Sequence, residues 1–249
     1  MNNKIFTEIP MRTWNWLGVN EAKIDENIDI KEQIINVGDG ESRQIVEINL
    51  SDETAANKYK IKAAVSSHVE FIFIDVGGAD SFSELEIELE GNESTADVAA
   101  VYLGDNNRKI DINYIIRQRG KQTNAKMDVK GALSGNSEKV FRGTLDFIQG
   151  AKGSIGHENE EVIILSPNVR NRSVPLMLSH EDDVDGHHAV SVGRIDENKL
   201  FYLMSRGLDK VEAEKLIVEA AFNPVLERLD DEQLKNKIYE TIQRRLSNV

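Results

Sequence analysis

The chain has 249 residues, with 30 Lys and Arg against 43 Asp and Glu, a formal net charge of −13, and no cysteine. That length can bury a full core without staples, and the missing thiols exclude disulfides, thiolate zinc sites and a cysteine-ligated iron–sulfur cluster made by this chain alone. The acidic balance argues against nucleic acid or an anionic membrane as main partner, and no stretch approaches the ~18 apolar residues of a spanning helix; a soluble, cytoplasmic protein is expected.

Residues 1–40 read as an N-terminal arm with little periodicity. They hold both tryptophans, Trp14 and Trp16, and two aromatics at i, i+2 are expected to anchor the arm onto the core, the alternative being contact with a partner. From 41 to 193 the pattern has period two, the signature of strands with one buried and one wet face. Leu85, Ile87 and Leu89 alternate with Glu84, Glu86, Glu88 and Glu90. A helix would spread those glutamates around its circumference, whereas a strand sends them all to one side. Ile110 and Ile112, then Ala125, Met127 and Val129, then Phe141, Gly143, Leu145 and Phe147 repeat the pattern. Phe71-Ile72-Phe73-Ile74 and Val162-Ile163-Ile164-Leu165 read as strands buried on both faces. Strand starts fall near 45, 58, 70, 84, 98, 109, 125, 139, 161 and 174, joined by short turns such as Gly77-Gly78, Gly91-Asn92 and Gly135-Asn136. No helical segment interrupts them, which excludes a doubly wound α/β fold and leaves a sandwich, a barrel or a stacked β-solenoid.

Between the last strand and the first helix lies Ser179-His180-Glu181-Asp182-Asp183-Val184-Asp185-Gly186-His187-His188, with three of the five histidines. Imidazole and carboxylate together suit first-row divalent ions. If this segment crosses a turn, His180 and His188 converge with Asp182 or Asp183; otherwise it is a polar loop whose histidines only hydrogen-bond.

The period becomes 3.6 over residues 194–249. Asp196-Glu197 opens a short helix carrying Leu200, Phe201, Leu203 and Met204, and Gly207 ends it. Asp209 and Glu212 have near-capping-box spacing before a second helix, expected to stop ahead of Pro224. A third helix starts at Asp230-Asp231-Glu232 and carries Leu234, Ile238, Ile242 and Leu246. These helices either cap the β core or dock a partner.

The catalytic inventory is thin. No phosphate-binding GxxxxGK[ST], no GxGxxG opening a helix, no HExxH and no GxSxG is present. His180-Glu181-Asp182-Asp183-Val184 through His188 and Gly193, then Leu200-Phe201-Tyr202-Leu203-Met204-Ser205-Arg206-Gly207-Leu208 and Glu212-Ala213-Glu214 to Ala220-Ala221-Phe222, resemble the SufB/SufD family of iron–sulfur assembly proteins. Phe141-Arg142-Gly143, Ile163-Ile164-Leu165-Ser166 with Pro175, and Thr13-Trp14 with Leu17-Gly18-Val19-Asn20 are also similar to it.

The resemblance implies a mainly β fold, a right-handed parallel β-helix with a small C-terminal helical domain. It further implies a non-enzymatic scaffold beside a SufC-like ABC ATPase, docked on Leu200, Phe201, Tyr202, Leu203, Met204, Arg206 and Phe222. Pairing through the β-helix, with a SufB-like subunit or with itself, is also implied. The family histidine maps onto His188, the candidate to face iron or a cluster, with His180, Asp182, Asp183 and His187 around it. Gly186 stands where the family commonly has cysteine, Ala189 where SufB-like chains have glutamate, and Glu158 lies near the family's upstream glutamine. These departures make the chain more SufD-like than SufB-like. The isolated chain is expected to bind no cofactor, a cluster being held only transiently in the complex. The alternative is a metal-dependent enzyme on a β-solenoid, with His180, His188, Asp182 and Asp183 as ligands.

Overall fold

Strands account for most of the computed structural model, which describes residues 3–247. An antiparallel hairpin, β1 (Asn3–Glu8) and β2 (Glu21–Asp25), comes first. Twelve further strands alternate between two parallel sheets. One holds β3 (Lys31–Val37), β5 (Ala55–Ala63), β7 (Ser81–Leu89), β9 (Lys109–Gln118), β11 (Glu138–Phe147) and β13 (Arg170–Ser179). The other holds β4 (Ser42–Asn49), β6 (His68–Asp75), β8 (Thr95–Gly104), β10 (Asn124–Leu133), β12 (Ser154–Ile164) and β14 (Val184–Arg194). Each coil contributes one strand to each sheet, and each strand pairs in parallel with the strand two along, as β10 does with β8 and β12. The fold is a β-solenoid. The first coil begins at Lys31, within the segment assigned to the N-terminal arm.

The period-two pattern places the core. Leu85, Ile87 and Leu89 point into the lumen, where they meet Phe71, Phe73, Tyr114 and Phe141. The doubly apolar strand at 71–74 sends Phe71 and Phe73 inward, and Ile72 and Ile74 outward into a second core. That outer core is closed by α2 (Lys210–Leu226) and α3 (Glu232–Leu246), whose Val218, Phe222, Ile238 and Ile242 pack on Ile72, Ile74, Ala99 and Val101. Arg228 donates to Asp97 (3.0 Å) and Glu70 (3.3 Å), and Arg245 pairs with Asp105, so polar contacts fix the helices as well. The helices therefore lie back along one sheet, and the final coil keeps an open end.

Local expectations about the helices hold in part. Asp209 and Glu212 form a full capping box, and Asp231 caps α3. Pro224 does not stop α2, which continues to Leu226. A proline near a helix C-terminus removes one backbone donor, and burial of Val225 and Leu226 against the sheet offsets that loss.

The tryptophans overturn their expectation. Trp14 and Trp16 are 69% and 81% exposed, in and beside a 3-10 turn at Asn15–Leu17. The arm is held by other groups: Phe6, Ala22 and Ile24 pack on Ala56 and Phe82, and Arg142 and Arg172 donate to the carbonyls of Val19 and Leu17. Both tryptophans should therefore emit at long wavelength and be quenched by iodide or acrylamide in the folded protein. A blue-shifted, protected emission would refute this placement.

Candidate functional site at the open end of the solenoid

The lumen changes chemistry over its last two coils. One inward column runs Phe71, Val98, Met127 and then Glu158, Glu158 being in register with His188 on β14. The neighbouring column runs Phe73, Ala100, Val129, Glu160 and Val190. From the facing sheet, Lys139 stands where the preceding coil has Ile110. An apolar stack thus ends in two carboxylates and an ammonium, directly beneath His188.

These groups are out of water. Glu160 and Lys139 are 0% exposed and Glu158 is 2%. Lys139 Nζ lies 2.5 Å from Glu160 Oε1 and donates to Ser173 Oγ at 2.9 Å, while the Tyr102 hydroxyl donates to the same Glu160 oxygen at 3.0 Å. Neither carboxylate oxygen of Glu158 has a hydrogen-bond partner, nor does Oε2 of Glu160. Gly143 gives Glu158 its space, since a Cβ there would stand 2.0 Å from Glu158 Oε1. Burial, helped by the Glu160 charge, pushes the Glu158 carboxyl up to about 8. Burial pulls the Lys139 ammonium down to about 8, although Glu160 opposes the shift. The chamber accordingly favours protonated Glu158 at neutral pH.

The segment from 180 to 188 is a turn followed by a strand. β14 starts at Val184, so His187 and His188 point to opposite faces. A Cβ on Gly186 would meet lumenal Met177 and Phe147, so Gly186 and His188 share the lumenal side. His187 lies outside, its ring stacked on His157. The backbone N–H of His180 bonds to Phe147 O at 2.8 Å, and Asp182 and Asp183 stay exposed in the turn, their N–H groups donating to Glu181. His180, Asp182 and Asp183 thus do not converge on His188, and no group of three or more His, Asp or Glu side chains among the described residues is arranged as a metal centre.

Sequence reasoning missed Glu158, Glu160 and Lys139 as one cluster. The signal available was the alternation of Glu158 and Glu160, but His157, Asn159 and Glu161 are polar too. A strand polar on both faces has no apolar period to detect.

The second surface is α1 (Glu197–Ser205), which buries none of its residues fully. Phe201 is 73% exposed, Tyr202 and Met204 are exposed, and Leu200 and Leu203 are half-buried. The Arg206 guanidinium lies 5.2 Å from the centre of the Tyr202 ring. Phe222 does not belong to this surface. It is fully buried between α2 and the sheet, because the apolar stripe of α2 faces inward.

The profile of the SUF system FeS cluster assembly SufBD core domain matches residues 31–221. The iron–sulfur cluster assembly protein SufD of Bacillus subtilis is 29% identical over 193 residues, covering 78% of this chain and 44% of that protein. SufD of Escherichia coli is 27% identical over 171 residues, 69% of this chain and 40% of that protein. A SufBD family protein of Pyrococcus horikoshii is 28% identical over 167 residues, 66% of this chain and 37% of that protein. The chain spans less than half the length of these curated relatives.

Proposed function

This chain belongs to the SufB/SufD family of iron–sulfur cluster assembly proteins, and from that premise we infer that it is a non-enzymatic scaffold subunit of a SUF-type assembly complex. The observation that carries the reading is the open last coil. β13 and β14 each pair on one side only, and exposed His188, Val190 and Val192 share the uncovered lumenal face. Unpaired strand edges invite another chain. The partner is a SufB-like subunit or a second copy, and His188 is the side chain that faces iron or a nascent cluster there. A neutral imidazole can replace thiolate on iron, which suits a chain without cysteine. The alternative of a hydrolytic metal site at His180, His188, Asp182 and Asp183 is disfavoured, since those side chains do not assemble.

The α1 face is the docking surface for a SufC-like ABC ATPase. Its aromatic and arginine side chains are the types enriched at binding hot spots, and the chain itself has no phosphate loop. Arg206→Glu tests this cleanly because an exposed charge reversal shifts stability by no more than about 0.5 kcal/mol. We expect an unchanged melting temperature and loss of copurification with a coexpressed SufC-like ATPase. Retained ATPase binding by both Arg206→Glu and Phe201→Ser would overturn the assignment to α1.

A further inference from the structure

Trp14 and Trp16 stand beside the open end of the solenoid, largely bare to water. The arm climbs the outside of the β13 sheet. Arg142 on β11, in the fifth coil, donates to Val19 O, and Arg172 on β13, in the sixth, donates to Leu17 O. Two residues thus gain one coil, and the turn at Asn15–Leu17 lies level with the last strand of the sheet. That turn is braced from within. Leu17 N–H bonds to Trp14 O, Gly18 N–H bonds to Asn15 O, and the Asn20 side chain accepts from both the N–H and the hydroxyl of Thr13. A braced turn carrying two exposed indoles loses little freedom on docking, and tryptophan is among the residue types enriched at binding hot spots.

β13 supplies a matching surface. Val174, Leu176 and Leu178 are in register with Arg142, Thr144 and Asp146, on the outer face that Arg172 also occupies, and all three are half-buried. Charge is divided along the strand. Arg170, its side chain 74% exposed, and Arg172 lie at its start, while Glu181, Asp182 and Asp183 follow its end at Ser179. A two-fold axis normal to the sheets brings a second copy's β13 antiparallel to the first. Each basic start then meets an acidic end, and each tryptophan turn, fixed at Arg172, meets Leu176 and Leu178 of the other copy.

We propose that Trp14 and Trp16 clasp the outer face of β13 in a second copy of this chain, closing a two-fold dimer at the open end. This rests on the reading of that end as an interface and names its occupant. A net charge of −13 sets the copies against each other, so the local fit at the turn supplies the attraction. The contact is isologous, and each clasp therefore occurs twice. The long-wavelength emission expected of the tryptophans belongs to the single chain and is read at nanomolar concentration.

The test is sedimentation velocity of the full, tag-free chain from nanomolar to tens of micromolar, joined to disulfide trapping in this cysteine-free sequence. Mixed Trp16→Cys and Leu178→Cys chains should give a cross-linked pair under mild oxidation. Each variant alone should stay uncross-linked, because antiparallel pairing holds like positions about six residues, roughly 20 Å, apart. Trp14→Ser with Trp16→Ser should weaken the dimer at least tenfold at an unchanged melting temperature of the dilute chain. Val192→Arg, on the uncovered lumenal face of β14, should also dissociate it and separates the two readings. A dimer lost in Val192→Arg but kept without the tryptophans would overturn the clasp and leave the open end an interface. A dimer indifferent to Val192→Arg would sink both. A mass of one chain throughout would overturn the proposal, the open end then belonging to a different subunit.

Discussion

Glu158→Gln is expected to leave stability nearly unchanged near pH 5 and to raise it by on the order of 4 kcal/mol near pH 8. The Glu158 carboxyl titrates at about 8 in the folded chain against an ordinary 4.5, chiefly because it is buried. Between those values the folded state keeps a proton that the unfolded chain has released. The unfolding free energy therefore falls as pH rises through this window, by about 1.4 kcal/mol per pH unit. Below it both states are protonated; above it both are ionised and the full penalty of a buried charge applies. Glutamine cannot ionise, so the slope due to this residue disappears. Lys139 adds a slope of opposite sign only above about 8, where its folded form loses a proton that the unfolded form keeps. Urea unfolding of both chains across pH 5 to 8 isolates the Glu158 effect. Parallel pH profiles would mean that Glu158 does not carry the proton.

Arg142→Met should cost about 3–5 kcal/mol, the usual result of removing one member of a buried ion pair. Arg142 is 0% exposed and holds Asp111 through two bonds, Nη1 to Oδ1 at 2.6 Å and Nη2 to Oδ2 at 3.1 Å. Its Nε also donates to Val19 O, joining the fifth coil to the N-terminal arm. Two consequences separate this from an ordinary core defect. Hydrogen exchange should accelerate over residues 3–25, and adding Asp111→Leu should recover part of the lost stability, because the stranded carboxylate is then gone. A loss under about 1 kcal/mol with unchanged exchange in the arm would contradict the pinning role. The Phe141-Arg142-Gly143 run thus has a physical content: Phe141 fills the lumen, Arg142 clamps the arm outside, and Gly143 leaves space for Glu158.

The fold was legible wherever one strand face is dry. Leu85, Ile87 and Leu89 declared a strand against four glutamates, and Phe71 to Ile74 declared one covered on both sides, because burial imposes its period directly on the residues. Helix boundaries set by local chemistry, such as the Asp209–Glu212 box, were equally readable. β14 gives no strand signal in the sequence, because a terminal strand has no coil above it, so both of its faces are wet and no apolar period is required. Trp14 and Trp16 misled because composition reports hydrophobicity, not whether a surface is available to receive it. The site divides in the same way. His188 stood out by residue type and by resemblance, whereas Glu158, Glu160 and Lys139 became a cluster only when register stacked coils far apart in sequence into one lumen. Read alone, the residues specify a β-core with three appended helices, no thiol chemistry and a histidine-rich run at 180–188 ahead of those helices. The tertiary structure decided which end of the solenoid stays open and which ionisable groups lie beneath it. Those depend on how the helices fold back over one sheet and on inter-coil register, contacts that no local pattern encodes.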